Sequence, residues 1–263
     1  MKILILGGTS DAISIAQSLI KSHHEVTYSI AGIVRQPDLD CRVLSGGFRI
    51  QNTAQGKKQF DNGAAGMQWH IQQEGYELIV DATHPYAVQI SENTVVSAKN
   101  VGVSVWRYLR TPWKELADDN WLEFDSMKGI ISQLEPYQKP FFTVGREVFS
   151  NVDLRVPNQK WLVRSAGVEI ANIPDITELK EIGPFKLEDE LALFKSHGVD
   201  ALISKNSGGE AVAAKLEAAR QLGIPVFMLQ RPEKAPLERC FFSAQDLVEQ
   251  INSHSPQLNN NFS

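Results

Sequence analysis

The sequence predicts an α/β protein with two doubly wound, mainly parallel sheets. Three observations carry this class. Residues 2–6 are a short apolar strand that breaks at Gly7, Gly8, Thr9, Ser10 and Asp11, and a helical apolar pattern follows at Ile13, Ala16, Leu19 and Ile20. The same succession restarts at Phe141, Phe142, Thr143 and Val144 and breaks at Gly145 and Arg146. Around both starts, short β-type runs alternate with helix-length periodic segments, as βαβ units require. Strand, glycine turn and helix open a Rossmann-like unit, so each half reads as one such domain.

The totals bound the function. At 263 residues the chain has room for one large or two modest domains. A net charge of -5 argues against sequence-independent nucleic-acid binding, which needs a basic surface. Cys41 and Cys240 stand far apart with no CxxC, which fits a reducing compartment. No apolar run approaches a membrane span, and the stretch after Lys2 is too short for a signal peptide. A cytoplasmic protein is expected.

In the first half, Ser10 is a candidate helix cap and Asp11 suits the positive end of the helix. The dinucleotide fingerprint G-x-G-x-x-G is not met: aligned from Gly7, its later glycines fall on Thr9 and Ala12. A side chain at the second position blocks the close backbone approach of a pyrophosphate. The strand at 25–30 ends in Ala31 and Gly32, with no acid for a ribose hydroxyl. Residues 42–44 are a further strand. Residues 49–62 are polar and lack periodicity, which predicts an exposed, mobile loop. A helix over 64–73 leads to a buried strand at 78–80.

That strand ends in Asp81, Ala82, Thr83, His84, Pro85 and Tyr86. Pro85 suits a first helical position, and Ala87, Ile90, Thr94 and Ala98 then keep one helix face. In an open parallel sheet, ligands bind outside the carboxyl ends of strands, where Asp81, Thr83, His84 and Tyr86 fall. Asp81 and Thr83 also suit plain helix capping. After a strand at 103–106, residues 107–113 (Arg-Tyr-Leu-Arg-Thr-Pro-Trp) read either as a surface strand end or as a cationic, aromatic wall for a large anion.

Residues 118–138 read as a strand and helix joining the halves, with the boundary near 136–140. The expected domains are 1–138 and 139–252, with a disordered polar tail at 253–263. Nineteen residues beyond Gly145, the strand starting at Trp161 ends in Arg164 and Ser165. An arginine at the second strand's end accommodates a 2′-phosphate, which favours NADP(H) over NAD(H). A short strand closes at 182–185, and a helix follows over 187–196. The strand at 201–204 runs into Lys205, Asn206, Ser207, Gly208 and Gly209, and a helix with Val212, Leu216 and Ala219 inward. Small residues at a helix start offer N–H groups to an anion, though the P-loop pattern is absent. The last core strand spans 225–229. The six histidines show no metal-ligand spacing, and no G-x-S-x-G elbow supports a hydrolase.

Taken together and in order, five stretches resemble the precorrin-6A reductases of corrin (vitamin B12) biosynthesis. They are Gly7 to Ser10, Gly46-Gly47-Phe48, Asp81 to Ala87, Gly183-Pro184-Phe185, and Lys205 to Gly209 with Lys215 to Ala219. The resemblance runs from Met1 to about Pro232. It implies two Rossmann-like domains with a ligand cleft between them. It also implies hydride transfer from a nicotinamide cofactor, NADPH with NADH as the alternative, to precorrin-6A or cobalt-precorrin-6A. Two departures stand out: Ile13 replaces an arginine usual in the family, and residues 49–62 are an apparent insertion.

The ring bears many carboxylates, so the site needs cationic anchors and one open face, while the cofactor carries the redox chemistry. Gly145, Arg146, Arg164, Ser165, Lys205, Asn206, Ser207 and Gly208 are assigned to the cofactor. Thr9, Ser10, Thr83 and His84 are assigned to the macrocycle, with His84 and Tyr86 as catalytic candidates. A short-chain reductase is the rival enzyme, but its Tyr-x-x-x-Lys pair is missing: Ile90 follows Tyr86 at that spacing and Pro112 follows Tyr108. A non-catalytic NAD(P)-sensing protein is the rival from another class.

Overall fold

The computed structural model describes residues 1–32, 37–53, 56–166, 173–237 and 239–254. The chain divides into two compact units, Met1–Arg110 with Glu233–Ser263, and Thr111–Pro232. Among the described residues no helix is long and apolar enough to cross a membrane.

The first unit runs β1 (Lys2–Leu6), α1 (Ser10–Lys21), β2 (Glu25–Ile30), β3 (Arg42–Ser45), β4 (Ile50–Thr53), β5 (Gly56–Gln59), α2 (Gly63–Glu74), β6 (Leu78–Asp81), α3 (Val88–Val101) and β7 (Ser104–Tyr108). The order β7-β6-β1-β2-β3 is parallel at each pairing. Side chains of a strand alternate between faces, so both faces of β1 must be covered. Ile3 and Ile5 pack with Ile15 and Leu19 of α1, while Leu4 and Leu6 pack with Met67 and Ile71 of α2 and Ala98 of α3. Leu6 lies opposite Asp81, so the β1 and β6 ends are level at the point where strand order reverses.

The second unit runs β8 (Trp121–Phe124), α4 (Met127–Ser132), β9 (Pro140–Phe142), a 3-10 helix (Gly145–Leu154), β10 (Trp161–Ser165), β11 (Ile176–Lys180), α5 (Leu187–His197), β12 (Ala201–Lys205), a 3-10 turn (Glu210–Val212), α6 (Ala214–Leu222) and β13 (Val226–Leu229). Its sheet, β11-β10-β9-β12-β13-β8, is again parallel, with the reversal between β9 and β12. The chain then returns to the first unit. There β14 (Cys240–Phe241) pairs with β7, and Leu247 and Ile251 of α7 (Ala244–His254) enter the cluster of Ile15 and Leu19.

The two units thus share the α/β, Rossmann-like class that the sequence predicts, but the division falls at 110/111 and 232/233 instead of 138/139 and 252/253. The reason is strand pairing. β8 precedes the second βα series in sequence, yet it fills the outer edge beside β13, Trp121 opposite Val226 and Phe124 opposite Leu229. Ser253 and His254 close α7, and the remainder of the expected tail lies outside the described residues.

Three local expectations also change. Residues 49–62 contain the antiparallel hairpin β4–β5, not a structureless loop. Lys58 sits over the rings of Phe60 and Trp69, which ties the hairpin to α2. Thr9, not Ser10, caps α1. Pro85 lies in a turn ahead of α3, whose buried face is Ser91, Thr94, Ser97 and Ala98.

Candidate active site

Each unit presents a cluster of polar groups at its strand reversal. In the first, β1 passes through Gly7 and Gly8 into α1. A Cβ on Gly7 would lie 2.1 Å from the buried Tyr28 ring, and Gly8 adopts a φ of 110°, a region that favours glycine. The Gly8 amide donates to the Tyr28 hydroxyl at 2.9 Å, and burial pushes that phenol's pKa up. Thr9 faces inward. Its Oγ1 accepts from the Ala12 amide at 3.1 Å and donates to the Ala82 carbonyl at 3.3 Å, so the cap also fastens the α1 turn to the end of β6. Ser10, by contrast, is exposed. The side chain expected to obstruct this turn is therefore packed beneath it.

Beside the turn, Asp11 gathers the end of β7. Its carboxylate pairs with Arg110 Nε and accepts from the Tyr108 hydroxyl at 2.9 Å, while Arg110 Nη2 donates to Ser10 Oγ at 2.9 Å. Burial and then the Asp11 bond drive the Tyr108 pKa up to about 12, which keeps it a hydroxyl donor. Arg107 belongs to neither of the two expected roles for residues 107–113. It is buried, and its Nε donates to Asp81 Oδ2 at 2.8 Å.

Thr83, His84 and Tyr86 do gather at the end of β6. Thr83 is buried, and His84 and Tyr86 are half-buried with ring centroids 5.6 Å apart. The Tyr86 amide lies 3.3 Å from His84 Nδ1, which makes Nδ1 the acceptor and puts the proton of the neutral ring on Nε2.

In the second unit, Gly145 has a φ of 75° and opens a 3-10 helix in place of an α-helix; Arg146 is exposed. Lys205 pairs with Glu147 at 2.7 Å. Asn206 is spent on architecture: its Oδ1 accepts from the Trp113 amide at 2.8 Å and its Nδ2 donates to the Trp113 carbonyl at 3.1 Å. Ser207 is buried next to it. Gly208, at a φ of 68°, leaves only 2.0 Å between a would-be Cβ and the Thr111 carbonyl. A 3-10 turn separates this loop from α6, so the loop does not open directly onto an α-helix start.

Arg164 and Ser165 sit at the end of β10 as expected, but Arg164 is not a solvated guanidinium. It is 7% exposed, pairs with Glu181 at 3.0 Å and Glu190 at 2.8 Å, and lies 4.0 Å over the Phe185 ring. Ser165 Oγ donates to Glu178. Two groups here escaped the sequence. Lys215 on α6 is buried and donates to Thr143 Oγ1 at 2.9 Å; burial and then Arg164's charge pull its pKa down to about 7, against Glu190. In the first unit, Lys234 Nζ reaches Thr83 Oγ1 at 3.0 Å and the His84 carbonyl at 3.3 Å. Both lysines act on residues far away in sequence, and no local pattern announces such contacts.

Comparison with known proteins agrees with this architecture. The family described as "Precorrin-6x reductase CbiJ/CobK" matches residues 2–252. The chain is 36% identical over 243 residues to a precorrin-6A reductase of Rhodococcus erythropolis, covering 89% of this chain and 91% of that protein. It is 33% identical over 239 residues to one of Sinorhizobium sp., covering 89% and 86%. The solved structure "CobK precorrin-6A reductase" superposes with a TM-score of 0.85 at 26% identity, covering 97% of this chain and 98% of that one. With two parallel α/β units, the strand-end groups above and a match over nearly its whole length, the chain belongs to the precorrin-6x reductase family CbiJ/CobK.

Proposed function

We propose that the chain reduces precorrin-6A in cobalamin biosynthesis, with a nicotinamide cofactor as reductant. The observation that carries this reading is the family match over residues 2–252. When bound, the nicotinamide supplies a hydride; the chain's own residues bind, orient and protonate.

Two strand reversals are available, and their geometry differs. In the first unit, a glycine turn leads straight into α1, a three-turn helix whose N-terminal amides suit a pyrophosphate. Thr9 is turned inward and Ala12 is fully buried, so the departures from the glycine fingerprint are absorbed below the turn. In the second unit the corresponding segment is a 3-10 helix, and Arg164 already faces two carboxylates. These differences support placing the dinucleotide on the Gly7 and Gly8 turn, the reverse of the sequence-based assignment. In the second unit the exposed Arg146 is then the cation offered to a carboxylate of the macrocycle. His84 and Tyr86 serve as the groups that hold or deliver the proton.

The test has two arms. The purified chain should oxidise reduced cofactor only when precorrin-6A is added, with NADPH and NADH compared directly. Ser10→Glu sets a carboxylate at the α1 N-terminus, and Arg146→Glu reverses a charge in the second unit. A lost charge-assisted contact is worth roughly 1.5–3 kcal/mol, or about 10- to 100-fold. Ser10→Glu should weaken reduced cofactor by that factor and leave substrate binding unchanged, and Arg146→Glu should do the opposite. The inverse pattern returns the dinucleotide to the second unit.

A further inference from the structure

The end of β6 carries a buried ionic node whose size is out of proportion to a helix cap. Asp81 is 0% exposed and Arg107 2%. Arg107 Nε donates to Asp81 Oδ2 at 2.8 Å, and Arg107 Nη1 donates to the Ala235 carbonyl at 2.6 Å. On the other side, Thr83 Oγ1 donates to Asp81 Oδ1 at 2.7 Å. With its one proton committed, that hydroxyl accepts from Lys234 Nζ at 3.0 Å and lies 3.3 Å from Ser91 Oγ. Lys234 also donates to the His84 carbonyl at 3.3 Å. One carboxylate therefore joins β6, β7, α3 and the segment that returns from the second unit in sequence.

We propose that Asp81 is the positioning residue of the reductase site, its carboxylate locking the 83–86 turn to the returning segment at Lys234 and Ala235. The proposal rests on the reading that this turn serves the reaction. A buried ion pair is a poor way to gain stability alone, because well-packed apolar residues of similar volume do as well or better. What the ion pair adds is direction. Thr83 and His84 are held through donors that only a charged acceptor keeps in place, and a half-buried ring at a strand end has to be held rigidly to act on a ligand. Burial pushes the Asp81 pKa up, but the charge of Lys234, the Thr83 hydroxyl, Arg107 and Ser91 together hold it below the ordinary carboxylate range. The acceptor is thus an anion throughout the neutral range.

Two substitutions and their combination test this. Asp81→Asn removes the charge at nearly constant shape. Lys234→Met breaks the two contacts from the returning segment and leaves Asp81 paired with Arg107, so it stays informative if Asp81→Asn folds poorly. Lys234→Met should lower kcat for precorrin-6A reduction about tenfold, with KM for substrate and reduced cofactor within about twofold of wild type. Asp81→Asn should lower kcat at least as far, and the double variant should fall no lower than Asp81→Asn, because both act through one node. Amide exchange at residues 83, 84 and 86 should rise in both single variants. Wild-type kcat with only a lower melting point, losses that multiply, or a raised substrate KM at normal kcat would overturn the proposal, the last by making Lys234 a substrate anchor. If the wild-type chain itself fails to turn over precorrin-6A, the functional reading falls. The exchange experiment then judges the lock by itself, and unchanged exchange in Lys234→Met refutes it.

Discussion

Lys215 Nζ donates to Thr143 Oγ1 over 2.9 Å, joining α6 to the residue that follows β9. The Thr143 hydroxyl in turn donates to the Ile203 carbonyl at 2.9 Å, so the lysine reaches the neighbouring strand β12 through a single side chain. Burial first, and the Arg164 charge second, pull the lysine pKa down to about 7. Between that value and the ordinary lysine range, the unfolded chain holds the proton and the folded chain does not. Stability from this group therefore rises with pH across that window, and its full cost is felt below pH 7. Lys215→Met should raise the melting point most at pH 6, with the gain shrinking towards pH 10. Melting curves of both proteins across that range check it; an equal loss at every pH would mean that the bond to Thr143 dominates.

Arg164 gives a second prediction. Its guanidinium is sandwiched between the Glu181 and Glu190 carboxylates and the Phe141 and Phe185 rings, with Glu190 only 1% exposed. Arg164→Ala leaves that carboxylate buried and unpaired, a loss of roughly 3–5 kcal/mol in urea unfolding. NADPH and NADH affinities should shift alike. A selective loss of NADPH would restore Arg164 as the 2′-phosphate partner.

The hairpin gives a third. β4 and β5 pair with each other and with no other strand among the described residues. Outside its own ladder, Lys58 lies over the Trp69 ring and the Gln51 side-chain amide donates to the Phe48 carbonyl at 3.1 Å. Replacing residues 50–59 by a short glycine linker should leave the sheet and its melting point nearly unchanged. A collapse of the melting transition in such a variant would show that α2 depends on the hairpin.

His84 and Tyr86 give the fourth. Their side chains are half-buried at a strand end. His84→Ala and Tyr86→Phe, made separately, should bind reduced cofactor normally, melt normally and lose turnover of precorrin-6A. Single-turnover rates at saturating substrate separate the roles, since an anchoring residue is rescued by saturation and a proton donor is not. Wild-type rates in both variants would leave the 83–86 turn as architecture.

Several elements were legible because their causes are local. The strands β1, β6, β10, β12 and β13 are short apolar runs buried on both faces, and parallel central strands have that composition. The glycine turns after β1 and β9 follow from backbone conformations at Gly8 and Gly145 that favour glycine. The gathering of Thr83, His84 and Tyr86 at one strand end follows from the strand direction alone. Other features had no local cause. The hairpin at 50–59 leaves no periodic signal because its strands are polar, exposed pairs without alternation, Asn52 opposite Lys57 and Gln51 opposite Lys58. Thr9 and Ser10 suit the cap equally well by residue type, and only the direction of each side chain separates them.

By itself, then, the sequence determined the α/β class, the two βα series, the family resemblance and the strand ends where polar groups collect. Each depends on period, turn chemistry or residue identity within a few positions of the chain. Tertiary structure alone decided where the units divide, because β8 and β14 find their partners far along the chain, in β13 and β7. It also decided what the buried charges are for. From sequence, Asp81 reads as a cap or a strand-end site residue, Arg107 as a surface strand end or part of an anion wall, and Arg164 as a 2′-phosphate partner, yet each of them, like Lys215, is closed to water and meets partners on distant elements. A buried charge must be matched at the place where it is buried, and the fold alone determines which groups meet there.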